Sequence, residues 1–198
     1  MLALEFDLTD DKEKAAKELN LLVKNNETRI TTGFVGTPYL LGALSDNGYE
    51  KTAFDLLFQE AYPSWLFSVN KGATTMWEHW DGIKEDGSFW STDMNSYNHY
   101  AYGSVFEWIF SFVGGISTRQ DGPGYRRVNI VPHTDRRLGF VKTGIITRHG
   151  NLSSHWYYSG EKIHFEFEIP EKTTAYVSLP GGQTKTLCGG NYKFTIKV

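Results

Sequence analysis

The chain has 198 residues, 40% hydrophobic and 15% aromatic, enough for one or two compact domains with a real core. Its formal net charge of −3 is spread without any block of like charges, which argues against nucleic acid and against an anionic membrane as partners. Lone Cys188 excludes an internal disulfide, the six histidines are scattered, and no apolar run reaches the about 18 residues of a membrane span, so neither metal, cofactor nor membrane segment is expected.

The first seven residues, Met1 to Asp7, are too short and too acidic for a signal peptide. They leave the compartment open, because the chain reads as a piece of something longer. From Asp10 to Lys24 a helix is expected, capped by Asp10 with Glu13 three residues on, and with Ala15, Ala16, Leu19, Leu22 and Val23 on one apolar stripe. Thr37-Pro38 starts a second helix with Thr37 as cap and Leu40, Leu41 and Leu44 buried. A third runs from about Tyr49 to Glu60 on Ala53, Phe54, Leu57 and Phe58. A short fourth begins near Pro63 and carries Trp65, Leu66 and Val69. Short helices alternating with tight turns are what stacked helical hairpins produce.

Gly82 to Asn95 has no period and reads as a long loop; its aromatics Phe89 and Trp90 favour an ordered, functional one. Tyr97 to Val113 is then an apolar helix burying Phe106, Ile109, Phe110 and Val113, closed by Gly114-Gly115. From about Arg126 the pattern changes to short alternating runs. Val128–Val131, Gly144–Arg148, Ser154–Tyr158, Ile163–Ile169, Ala175–Leu179 and Tyr192–Ile196 suit strands, with a hairpin turn at Ser159–Lys162. The fold class expected is α+β in two parts, helical over residues 1–120 and an antiparallel β-sandwich over 121–198.

The chemistry concentrates in Gly72 to Asp81, which reads Gly-Ala-Thr-Thr-Met-Trp-Glu-His-Trp-Asp. Glu78 stands between Trp77 and Trp80. Indole faces pack against the apolar C–H patches of a sugar ring, and a carboxylate beside them can move a proton. The alternative is a Trp-rich core turn with an exposed Glu. In a locally extended segment Trp80 would share a side with Glu78, which favours Trp80 over Trp77 as the sugar-facing ring. His79 then points away, and Asp81 either orients Glu78 or caps a turn.

This decapeptide resembles the general-base segment of the bacterial α-L-rhamnosidases, an inverting glycosidase family with an (α/α)6-barrel catalytic domain. Three further stretches agree in the same order: Thr32-Gly-Phe-Val-Gly-Thr-Pro-Tyr-Leu-Leu41, Asn95-Ser-Tyr-Asn-His-Tyr-Ala-Tyr-Gly103, and Gly122-Pro-Gly-Tyr125 before the β part. The resemblance covers roughly residues 28 to 180. It implies the last helices of the barrel followed by the sandwich, Glu78 as general base, His99 as a contact to a sugar hydroxyl, and a rhamnose-containing glycoside as substrate. The family's general acid belongs to an acidic motif further upstream, with no counterpart in residues 1–30, so the chain carries half of the catalytic pair. On this reading the isolated chain is inactive, and barrel faces left open invite self-association.

Two rivals remain at this stage. A glycoside phosphorylase needs a basic phosphate pocket, and Arg119, Arg126, Arg127, Arg136 and Arg137 all lie far from Glu78 in sequence. A non-catalytic sugar-binding or structural sandwich with a helical attachment would present Trp156, Tyr157 and Tyr158 as an exposed flat platform.

Overall fold

The computed structural model describes residues 1–198. Contacts divide it into two units, Met1–Phe106 and Glu107–Val198.

The first unit is built from short helices: α1 (Leu2–Glu5), α2 (Lys12–Asn25), α3 (Thr37–Ser45), α4 (Glu50–Leu57) and α5 (Trp65–Asn70). Asp11, not the expected Asp10, caps α2, its side chain accepting from the Lys14 N–H at 2.9 Å. The stripe also shifts. Leu22 is 66% exposed, and polar Asn20 is buried in its place. Asn20 can enter the interior because the Thr52 hydroxyl donates to its Oδ1 at 2.7 Å, tying α2 to α4.

Gly36 occupies the α3 cap position, with Pro38 in the first turn. The Thr37 hydroxyl reaches back to the Gly33 carbonyl at 2.9 Å instead of capping forward. Ser64 caps α5 by accepting from the Phe67 N–H, and the helix buries Trp65 and Phe67 while Val69 stays exposed.

The single apolar helix expected over residues 97–113 is three pieces. A 3₁₀ turn spans Ala101–Ser104, one α-helical turn (α6) Val105–Trp108, and a π turn Ile109–Val113 closed by the Gly114 N–H on the Ile109 carbonyl. Phe106, expected to be buried, is exposed. The π turn packs with β1 and β3 of the second unit, so these last turns group with the sandwich.

The second unit holds eight strands: β1 (Ile116–Thr118), β2 (Arg127–Ile130), β3 (Phe140–Thr147), β4 (Gly150–Ser159), β5 (Lys162–Ile169), β6 (Thr174–Leu179), β7 (Gln183–Leu187) and β8 (Gly190–Lys197). They form two four-stranded sheets, β1-β2-β6-β7 and β3-β4-β5-β8. Pairing is antiparallel except between β2 and β6, which run parallel. Alternate residues fill the core: Leu152, Ser154 and Trp156 from β4, Ile163, Phe165 and Phe167 from β5, Ala175, Val177 and Leu179 from β6. Trp156 is fully buried and its indole N–H donates to the Val113 carbonyl at 2.9 Å. A three-residue aromatic platform at 156–158 is therefore excluded, since strand alternation turns the middle residue away from its neighbours. Gly115 has φ +80, and a Cβ there would lie 2.3 Å from the Val131 carbonyl carbon, so the turn into β1 requires glycine.

Candidate active site

Glu78 lies in the first unit, on a stretch without regular secondary structure that hydrogen bonds nonetheless hold in place. The Glu78 N–H donates to the Ser96 carbonyl at 2.9 Å, and the His99 N–H to the Met76 carbonyl at 2.8 Å. Between them the Thr75 hydroxyl donates to the Tyr97 carbonyl. The segments around Glu78 and His99 thus run side by side, bringing together two residues that the sequence separates by the long loop.

That loop is gathered on Gly82. Its carbonyl receives the Trp90 N–H at 3.1 Å, the Asn95 side-chain amide at 2.9 Å and the Tyr97 hydroxyl at 2.9 Å. Ile83 bridges to Phe89 within it. A Cβ on Gly82 would stand 3.0 Å from the Trp77 ring and 3.2 Å from that of Tyr97, so glycine lets the chain pass close over both. The order expected of this loop has a physical source in that hub.

Aromatic rings wall the site. Trp77 is buried edge-on to Tyr97, centroids 5.2 Å apart. Trp80 is buried too, stacked on Tyr102 at 3.8 Å and edge-on to Trp65 at 5.5 Å. Tyr102 is held further by the Trp65 indole N–H, which donates to its carbonyl at 2.9 Å. Phe34 leans on Tyr102 at 5.1 Å and stacks on His99 at 4.7 Å, and Tyr100 lies parallel to His99 at 5.6 Å. A continuous run of rings therefore leads from Trp65 through Trp80, Tyr102 and Phe34 to His99.

The segment carrying Glu78 is bent, since the Gly82 N–H closes a turn on the His79 carbonyl at 3.1 Å. The extended geometry that favoured Trp80 over Trp77 is absent, and both indoles are less than a tenth exposed. Glu78 itself is half-buried. His79 stacks on Trp90 at 3.5 Å, a partner the spacing did not suggest. Asp81 sits in the turn, and its charge is felt at Tyr62.

Electrostatics mark two phenols. Burial above all, then the Tyr62 phenol and the Glu78 carboxylate, push Tyr102 above its ordinary pKa. Burial and Asp81 push Tyr62 up as well. A carboxylate and two phenols thus share one neighbourhood. His99 Nδ1 accepts from the Ala101 N–H at 3.4 Å, so in the neutral ring the proton sits on Nε2, available to a ligand hydroxyl. Phe34, Tyr62 and Tyr102 were not singled out by spacing, and Trp90 only as a mark of an ordered loop. Phe34 and Tyr102 stand inside two of the motif stretches, which was the signal present for them.

A half-buried carboxylate, an imidazole on the neighbouring segment and a wall of rings are the equipment of a carbohydrate-active protein. The comparisons specify which. The model for the bacterial alpha-L-rhamnosidase 6 hairpin glycosidase domain matches residues 1–113, and that for the bacterial alpha-L-rhamnosidase C-terminal domain matches residues 115–193. A curated alpha-L-rhamnosidase of Streptomyces avermitilis is 38% identical over 182 residues, covering 91% of this chain and 18% of its own length. The crystal structure of the Streptomyces avermitilis alpha-L-rhamnosidase complexed with L-rhamnose superposes with a TM-score of 0.91 at 34% identity, over 99% of this chain and 21% of that one. That of the native Aspergillus terreus enzyme gives 0.91 at 36%, over 98% and 23%. The chain belongs to the bacterial α-L-rhamnosidase family, as a portion joining the end of the six-hairpin domain to the C-terminal β-sandwich. It spans about a fifth of the length of the curated relatives it matches.

Proposed function

We propose that this chain is part of an enzyme that hydrolyses terminal α-L-rhamnosides with inversion, and that Glu78 is its general base. The first unit supplies the last helices of the catalytic barrel and the second the sandwich. The observation that carries the reading is the side-by-side pairing of the Glu78 and His99 segments against one aromatic wall. Glu78 takes a proton from a water, which attacks the anomeric carbon as the bond to the leaving oxygen breaks. A general acid protonates that oxygen from the opposite face, its carboxyl about 6.5–9.5 Å from Glu78 to leave room for the water.

His99 Nε2–H donates to a ring hydroxyl, and the apolar side of the sugar meets the run of rings that Trp80 backs through Tyr102. The acid comes from residues outside these 198, so the isolated chain does not turn over rhamnosides. Glu78→Gln in the full-length enzyme keeps the shape but cannot take the proton. Turnover of an aryl α-L-rhamnoside should fall by roughly 10²–10⁴-fold or more with little change in substrate affinity. Proton NMR of the wild-type reaction should show the β anomer of rhamnose first. Undiminished turnover in the variant, or first release of the α anomer, rejects the assignment.

A further inference from the structure

Far from Glu78 in the sequence, the second unit has a hollow of about 560 Å³ lined by Pro123, Arg126, Arg148, His149 and Lys172. Arg126, Arg148 and Lys172 take part in none of the ion pairs of the structure. The acid that lines the adjoining hollow with Arg148, His149 and Lys172 is Glu171. Three fixed cations and an imidazole thus converge against one carboxylate in a chain of net charge −3. Like charges that outnumber their counter-charge raise the local positive potential, and a concave wall focuses it.

The backbone holds these groups in place. The Thr174 N–H donates to the Arg126 carbonyl at 3.0 Å, and the buried Thr173 hydroxyl to the Tyr125 carbonyl at 2.9 Å, so the start of β2 is pinned beside Lys172. The β3–β4 hairpin tip carries Arg148 and His149. It closes with the Thr147 hydroxyl donating to the Gly150 carbonyl at 2.9 Å and receiving the His149 N–H at 3.0 Å. At Gly150 a Cβ would meet Pro170 at 3.4 Å, which sets the tip next to the 170–173 turn. Three separate loops therefore deliver their cations to one place.

We propose that this hollow is an anion-binding site for an acidic glycan, taking a carboxylate or a sulfate ester through the guanidinium forks of Arg126 and Arg148 and the Lys172 ammonium. Both anions present coplanar oxygen pairs to a guanidinium, and both are joined in polysaccharides to sugar rings that the open hollow admits. The site shares no residue with the one around Glu78, and its test does not depend on hydrolysis.

The 198-residue chain should be retarded in native gels containing polygalacturonate or dextran sulfate, and not in gels containing neutral dextran; the stronger retardation of the two tells carboxylate from sulfate ester. Arg148→Ala with Lys172→Ala should weaken that binding by roughly tenfold or more. Removing two cations elsewhere, Lys17→Ala with Lys185→Ala, should leave it nearly unchanged. In the wild-type chain, inorganic sulfate should move the backbone amide signals of Arg148 and His149 first. Absence of retardation on both acidic polymers, equal loss in the two double variants, or still signals at 148 and 149 overturns the site.

Discussion

Phe34 and His99 lie face to face, their ring centroids 4.7 Å apart and their planes 18° from parallel. Each comes from a different motif stretch, so the contact locks the entry to α3 onto the segment that follows the long loop. It also fixes the direction in which His99 Nε2–H points, since Nδ1 is already engaged with the Ala101 N–H. Phe34 keeps 41% of its surface exposed, which leaves it a face toward solvent as well as a face on the imidazole.

Phe34→Ala in the full-length enzyme should therefore loosen His99. An aromatic pair contributes about 0.5–1.5 kcal/mol beyond its burial, which corresponds to a drop of about 2–10-fold in kcat/KM on an aryl α-L-rhamnoside. Phe34→Tyr keeps the ring and should restore most of the loss. An alanine variant with wild-type kcat/KM would show that the imidazole needs no such support.

Tyr102 should titrate late. Burial, the Tyr62 phenol and Glu78 all favour its protonated form, so its folded pKa stands above the unfolded one. The stability this contributes is complete below the ordinary phenol pKa of about 10 and is lost as the pH rises through the higher folded value. Tyrosinate absorbance followed on raising the pH should contain a late component to which both Tyr102 and Tyr62 contribute, and Tyr102→Phe should reduce its amplitude while Tyr62 keeps the remainder. A late amplitude left unchanged by that substitution refutes the assignment to Tyr102.

The elements that periodicity could read were those with one clean apolar face. α3 and the strands β4, β5 and β6 satisfy that condition: Leu40, Leu41 and Leu44 of α3 are buried as expected, and the runs 154–158, 163–169 and 175–179 fall within the three strands. β7 was invisible because Gln183, Thr184, Lys185 and Thr186 are all exposed and carry no alternation. β1, with three residues, is too short for a pattern. The 97–113 helix misled because its apolar residues are numerous enough to mimic one stripe, while the backbone changes pitch twice beneath them. At the candidate site, the motif stretches pointed to Glu78 and His99, whose segments the fold brings side by side. The rings around them were not, because Phe34, Trp65 and Tyr102 meet only through the tertiary fold.

Trp156→Phe should destabilise the sandwich more than its small loss of area suggests. The substitution removes the indole N–H that satisfies the Val113 carbonyl, in a place where both residues are fully buried. A stranded buried acceptor plus the vacated volume costs about 2–4 kcal/mol. Urea unfolding of the chain should show the corresponding shift in midpoint. Tyr158→Phe, which loses only a half-buried hydroxyl contact to Thr134, should shift it far less. Equal shifts in the two variants would mean that the indole bond is not what holds Trp156.

The isolated chain should also associate with itself. α2 presents Leu21 at 40% and Leu22 at 66% exposure, and Val35 and Val69 are 74% and 54% exposed on the same unit. Apolar surface left in water tends to be covered by association, and a second copy offers the same patches. Sedimentation of the wild-type chain should therefore give a mass above the 22.5 kDa of a monomer, rising with concentration. Leu22→Lys places a charge in the middle of the α2 patch without disturbing a buried contact, and should return the chain toward monomer. A wild-type chain that stays monomeric at every concentration would show that these leucines and valines are tolerated singly and carry no association.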